Sequence, residues 1–250
     1  SRAGYTGLWY SEALRGKSGS SRDENRIKKK GQASDIAKRI SGAEGTVTKV
    51  ERKKQTEKSP LLYDLTSLQR DANSRFGFAA RRTLSVAQSL YEGKKALTYP
   101  RTSSRYLSGD MVPQLALIAK TLLPIREYEL FAQNVIDLFD SGTDVPLSRI
   151  VNDARVDDHH AIIPTDIAHD TDDFSEDERK IFDLVAKRFL AVFHPPAQYA
   201  RTLVVTEVDS ENFRTRGKVT LEPGWRAIYG VEPDEPKAQD EDSAEGGELP

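Results

Sequence analysis

Residues 61–108 read LLYDLTSLQRDANSRFGFAARRTLSVAQSLYEGKKALTYPRTSSRYLS. The texture of this stretch is helical. Thr66 with Gln69 three residues on has the spacing of a capping box. Leu68, Ala72 and Phe76 then recur on one face until Gly77 stops the run. A second helix is expected from about Ala79 to Glu92, with Leu84, Ala87 and Tyr91 inward and Gly93 as its end. Two helices joined tightly at a glycine have the form of a helix-turn-helix, a form that many all-α domains share. After them Lys94 to Arg101 should be extended, because Pro100 disfavours helix at Tyr99.

Working outward, helices are expected near Asp110–Leu123 and Arg126–Phe139. Asp140 to Asp173 has no periodicity and contains DDHHAIIPT (157–165). An irregular stretch of that length is more often functional than idle. Ser175 with Glu178 caps the clearest helix, which buries Ile181, Val185, Phe189 and Val192 and stops at Pro195 and Pro196. Upstream, Gly4–Tyr10 and Thr46–Val50 suit strands and Ala33–Ile40 a short helix, with basic loops at Ser18–Gly31 and Arg52–Lys58. Downstream, Tyr199–Val208 and Phe213–Leu221 are the expected strands. The expected fold class is therefore α+β. Both chain ends (1–64 and 196–230) make a β-rich domain, residues 65–195 an inserted helical domain, and 231–250 an acidic linker. Gly42, Gly45, Gly217 and Gly224 are hinge candidates by their flexibility.

The 250 residues are 37% apolar and 30% charged, enough for a core and a wet surface. No apolar run approaches the roughly 20 residues that a membrane helix needs. The chain has no cysteine, which excludes disulfides, thiolate metal ligands and cysteine nucleophiles and fits a reducing compartment, so the expected location is cytoplasmic. Residue 1 is Ser and no secretory signal is read, so an excised piece is expected. The net charge of −2 hides a split: residues 1–110 hold 23 Lys+Arg against 11 Asp+Glu (+12), and the remainder 14 against 28 (−14). A basic half predicts a polyanionic partner. No Walker loop, GxGxxG or GxSxG occurs, the closest text to a Mg²⁺-holding acidic cluster, DEDSAE (240–245), lies in the expected linker, and no metal site is expected.

The segment TYPRTSSRY (98–106) carries the chemistry. A phenol ordinarily deprotonates only near pH 10 and is a poor nucleophile at neutral pH. A nearby guanidinium favours the phenolate and can grip a phosphate through two hydrogen bonds. Tyr99 and Arg101 lie two residues apart in an extended segment, so their side chains can share a face. Such a unit suits attack on a phosphodiester with a covalent phosphotyrosine product. His159 and His160 can donate to a phosphate oxygen or move a proton. Arg70, Arg75, Arg81, Arg82, Gln88, Lys94 and Lys95 can contact phosphates without reading sequence.

Residues 61–108 closely resemble the active-site segment of type IA DNA topoisomerases, and DHHAIIPT (158–165) resembles that family's second hallmark. SEDERKIFDLVAKRFLAVFHPPAQY (175–199) and PGWRAIYG (223–230) are similar to its following helix and strand. TYPR with HHAIIPT is closer to the bacterial topoisomerase III branch than to topoisomerase I, which usually has Met after the Tyr and HEAI in place of HHAI. The resemblance covers roughly residues 44–230. It implies a tyrosine that cleaves single-stranded DNA, becomes joined to the 5′ phosphate, and reseals the strand after another has passed. On that resemblance Tyr99 is the nucleophile, Arg101 positions it and the scissile phosphate, and His159 lies near the phosphate. Gln88 and Glu92 match a polar pair on the preceding helix, and Thr98 and Thr102 match flanking DNA contacts. His160 falls where the other branch has Glu. Ser103 departs from the usual Asp, so the carboxylate that orients the arginine has no counterpart here.

The resemblance further implies partner domains of the same polypeptide that these residues do not include. One is a Toprim domain, whose acidic cluster holds Mg²⁺; the other admits the single strand. The chain then corresponds to the β-rich arch and the helical nucleophile domain, expected to bind DNA weakly and to be inactive alone. Three rivals are a helix-turn-helix binding module without chemistry, a tyrosine recombinase, and a protein-docking clamp. A recombinase needs HxxR and its tyrosine near the C-terminal end, whereas HHAI lacks that Arg and the candidate tyrosine is at position 99 of 250.

Overall fold

The computed structural model describes residues 5–11, 27, 29–142, 145 and 147–231. In chain order come β1 (Leu8–Tyr10), α1 (Lys30–Ile40), β2 (Thr46–Glu57), α2 (Leu65–Phe76) and α3 (Ala80–Glu92). A 3-10 helix at Gly109–Gln114 precedes α4 (Leu115–Leu122) and α5 (Glu129–Asp140). Then come α6 (Glu176–Ala191), β3 (Ala197–Val208), β4 (Glu211–Glu222) and a closing 3-10 helix, Gly224–Tyr229. Helix and antiparallel sheet are mixed in the expected β, α, β order. The described residues divide into two compact units, one of residues up to 56 with Gln198–Glu222, the other of Glu57–Ala197 with Pro223–Val231. The acidic segment beyond residue 231 and most of the Ser18–Gly31 stretch lie outside the described residues.

In the β unit the strand order is β1-β4-β3-β2. β3 and β4 form an antiparallel hairpin that pairs Val205 with Arg214 and Arg201 with Lys218. Asp209 and Ser210 make its turn, both at positive φ (50° and 63°). Two central residues of that kind match the right-handed twist of the flanking strands. The basic loop expected from Arg52 is instead strand as far as Glu57. β2 ends the strand order, and charged residues such as Lys53 and Lys54 keep an edge strand from pairing further.

In the helical unit the cap of α2 is Asp64 with Ser67, not the expected Thr66 with Gln69. Asp64 Oδ1 accepts from Ser67 N at 2.7 Å, and Asp64 N donates back to Ser67 Oγ at 3.2 Å. Gly77 ends the helix in the left-handed conformation, φ 69°. α3 buries Thr83, Ala87 and Leu90, one residue round from the stripe expected, because it packs on both α2 and α6. Leu84 and Tyr91 are left half-buried. Pro113 lies within the 3-10 helix, and α4 begins only after it. α6 has the Ser175–Glu178 capping box and buries all four expected residues.

A polar knot ties α6 to the chain's entry into this unit. Arg188, 7% exposed, donates from Nη2 to Asp71 Oδ2 (2.7 Å) and Tyr63 OH (2.9 Å), and from Nη1 to Leu61 O (3.0 Å). Its guanidinium lies 3.9 Å from the centre of the Tyr63 ring. Burial holds the Tyr63 phenol well above its ordinary range, so it remains a donor, here to Asp71 at 2.6 Å.

The segment 223–230, expected with the β strands, packs with the helices. Trp225 N donates to Pro195 O (2.9 Å) and Trp225 Nε1 to Glu57 O (3.0 Å). A Cβ on Gly224 (φ 50°) would lie 2.5 Å from Pro195 O, so this glycine serves close approach and not hinging. No helix among the described residues is long and apolar enough to cross a membrane.

His194 closes the same unit, with Nδ1 donating to Leu190 O at 2.9 Å and Nε2 buried without a partner among the described residues. Burial lowers its pKa from the ordinary 6.5. The unfolded chain therefore takes up a proton that the folded chain refuses, and this contribution to stability is lost as pH falls below about 6.5. Urea midpoints measured at neutral pH and about one unit below 6.5 should differ less in His194→Gln than in the unaltered chain.

Candidate active site

Three extended segments build the site. Ala161, Ile162, Ile163 and Pro164 are buried, and this apolar run is laced between the segments on either side of it. Ile162 N donates to Tyr63 O (2.8 Å), Ala161 N to Tyr106 O (2.9 Å), Thr98 N to Ile163 O (2.9 Å) and Thr165 N to Ala96 O (3.1 Å). Isolated antiparallel bridges pair Tyr63 with Ile162 and Leu97 with Pro164. Buried apolar residues thus anchor one end of DHHAIIPT and leave its polar end, His159 and His160, beside TYPR.

Two threonine hydroxyls pin that polar end. Thr98 Oγ1 donates to Ala161 O (3.2 Å) and accepts from Ile163 N (3.0 Å). Thr102 Oγ1 donates to His159 O (2.9 Å) and accepts from Ser104 N (3.0 Å). Both hydroxyls are committed within the protein, and Thr102 is buried.

Tyr99 is half-buried, its ring 4.2 Å from that of His159 and 5.4 Å from that of Tyr91, edge-on to the latter at 78°. Tyr91 and Gln88 lie three residues apart on one face of α3. Arg101 is exposed and donates from Nη2 to Gln88 Oε1 at 3.3 Å. A cleft of about 410 Å³ opens beside the ring, lined by Tyr99, His159, His160, Ser108 and the carboxylates of Asp110, Asp153, Asp157 and Asp158. His160 Nδ1 donates to Ala161 O at 2.7 Å.

The other sequence candidates lie as follows. Lys95 Nζ is 5.7 Å from the Tyr91 ring centre, so it joins the aromatic group at one remove. Lys94 Nζ donates to Asp173 O (2.9 Å), and the Arg75 guanidinium lies 5.1 Å from the Tyr229 ring centre, so both are engaged elsewhere. Glu92 and Ser103 are exposed. The sequence pattern missed three groups: Tyr91 as a neighbour of Tyr99, Asp110 and Asp153. Only Tyr91 had a local signal, its spacing from Gln88. Among the described residues no three His, Asp or Glu side chains are disposed to hold a metal ion. Asp153 Oδ1 is already used by Gly109 N at 2.9 Å. Among the described residues the donors at the cleft therefore do not fit Mg²⁺.

Replacing the Thr98 hydroxyl leaves Ile163 N–H and Ala161 C=O without that partner. Thr98→Val should destabilise the helical unit by about 1–3 kcal/mol. Urea unfolding checks the loss of stability. The Tyr99–His159 ring contact should loosen with it, and the ring-current shifts of the two side chains measured by NMR check that.

Comparison with known proteins gives the family. The family model described as DNA topoisomerase matches residues 8–249. DNA topoisomerase 3 of Bacillus licheniformis is 43% identical over 209 residues, 84% of this chain and 28% of that protein. DNA topoisomerase 3 of Bacillus subtilis is 43% identical over 208 residues, 83% of this chain and 28% of that protein. The chain thus spans just over a quarter of the length of these relatives. Full-length topoisomerase I from Thermotoga maritima shares the fold at a TM-score of 0.58 and 21% identity, covering 90% of this chain and 35% of that one. The family match runs through Tyr99, His159 and the segments that lace them together, and the chain belongs to the DNA topoisomerase family, with topoisomerase III proteins among its relatives.

Proposed function

We propose that this chain supplies the nucleophile of a type IA topoisomerase acting on single-stranded DNA. The Tyr99 hydroxyl oxygen bonds to the scissile phosphorus, the 3′ oxygen leaves with a proton, and the 5′ end stays attached as a phosphotyrosine. A second strand passes, and the 3′ hydroxyl reverses the step. The observation that carries this reading is the Tyr99 ring held between His159 and Tyr91 at the cleft mouth. His159 is placed to hold a phosphate oxygen or move a proton beside the phenol. Arg101, steadied by Gln88, offers the planar fork that suits a phosphate.

Four aspartates line the same cleft, and their charge opposes an entering phosphodiester. Phosphoryl transfer depends mainly on positioning and charge stabilisation. On the family resemblance the balancing positive charge would come from Mg²⁺ held by a Toprim domain of the same polypeptide, with a further domain admitting the strand at the nucleoid. The chain by itself then binds single-stranded DNA weakly, more weakly as salt rises, and neither cleaves nor relaxes DNA.

The test is cleavage of a labelled single-stranded oligonucleotide by the intact polypeptide that carries this segment. Tyr99→Phe should abolish the covalent adduct and leave strand affinity within about twofold, since the phenol oxygen adds no charge to binding. An adduct that persists in Tyr99→Phe overturns the proposal, and indifference of every DNA readout to Tyr99 points to a binding module instead.

A further inference from the structure

The β hairpin carries a row of cations that the Tyr99 site does not use. Arg201 stands opposite Lys218, Leu203 opposite Arg216, and Val205 opposite Arg214. Directly opposed residues share a face of an antiparallel pair. Arg201, Arg214, Arg216 and Lys218 therefore project from one side of the sheet. Along β4 the cations recur at every second residue, about 6.8 Å apart at 3.4 Å per residue. Like charges directly opposite destabilise a strand pair, yet Arg201 and Lys218 face one another. Along β3 and β4 the acid on this face is Glu207, at the turn end opposite Asn212.

The rings beneath the cations narrow the choice of ligand. Lys218 Nζ lies 3.8 Å from the centre of the Tyr199 ring, and the Arg214 guanidinium 5.0 Å from that of Tyr10. Tyr199 is 2% exposed and Tyr10 8%. These rings support cations and are not open to stack bases. Arg201, Arg216 and Lys218 are exposed. The exposed cations Arg201, Arg216 and Lys218 thus line this face of the hairpin, with Arg214 half-buried beside Tyr10.

We propose that this face of the hairpin is a track for the phosphodiester backbone of single-stranded DNA, additional to the Tyr99 cleft. A straight row of cations suits an extended strand, whereas the phosphates of a duplex wind away from it. The inference rests on the topoisomerase reading only in taking DNA as the polyanion. The cations belong to the β unit and the nucleophile to the helical one, so binding and cleavage can fail independently.

The experiment uses the whole chain carrying Tyr99→Phe, titrated into fluorescein-labelled oligothymidine and followed by anisotropy across roughly 50–200 mM KCl. The double variant Arg201→Gln with Arg216→Gln should weaken binding about tenfold at the low-salt end. It should also lower the slope of log affinity against log salt by about 1.4, because each lost phosphate contact on a single strand removes about 0.7. Arg201→Lys with Arg216→Lys should keep both. Without any substitution in the hairpin, bound oligothymidine should protect Lys218 from acylation, read by mass spectrometry. Absence of binding, an unchanged affinity and slope in the glutamine variant, or undiminished labelling of Lys218 overturns the proposal. So does tighter binding of a duplex of equal length. Displacement of the oligonucleotide by polyglutamate at equal charge also overturns it, since the face would then take any acidic chain. Loss of the Tyr99 adduct in the cleavage assay bears on the nucleophile alone and leaves this measurement standing.

Discussion

Two hydroxyl groups hold the TYPR segment and the histidine segment together. Thr98 and Thr102 each donate to a carbonyl and accept from a backbone N–H, and between them they grip residues 159, 161 and 163. Neighbouring backbone bonds at 63, 96 and 106 extend the lacing on both sides. Each such bond contributes little net stability, but a buried partner left unpaired costs more. The whole set therefore holds one register or fails together, and that register puts the Tyr99 ring beside His159.

The helices stabilise this lacing from behind. Leu62, Leu97, Ile162 and Phe189 are all buried to within 1% exposure, so the three extended segments share an apolar floor. Arg188 reaches from α6 to Leu61, Tyr63 and Asp71, which ties the entry strand to two helices at once. A buried guanidinium is tolerable there because its carboxylate, phenol and carbonyl partners replace water. The polar knot thus specifies where the first extended segment runs, and the apolar contacts supply most of the stability.

Charge is divided unevenly over this scaffold. Carboxylates line the cleft beside Tyr99, while the cations of β4 stand on the other unit. A phosphodiester entering the cleft meets repulsion that the residues described here do not cancel, apart from Arg101 at the rim. Among the described residues no three acids converge on a point that would hold a cation.

Local signals determined much of this protein. The capping box at Ser175, the stop at Gly77, the period of α6 and the presence of β3 and β4 rest on signals within a few residues, so they were legible in the sequence. The residue types at Tyr99, Arg101 and His159 made them candidates from the sequence alone, and the fold sets the Tyr99 ring beside His159. The cap of α2 was misplaced because Asp64 and Thr66 compete as caps within three residues and only backbone geometry selects one. The stripe of α3 shifted because two neighbours press on it at once. Contacts at long range were decided by the tertiary structure alone. Thr102 meets His159 across 57 positions and Thr98 meets Ile163 across 65. Arg101 turns to Gln88, and Pro223–Val231 joins the helices because Trp225 finds Pro195 and Glu57. Such pairings depend on hydrogen-bond register and on which apolar faces meet, and no short window of sequence encodes either.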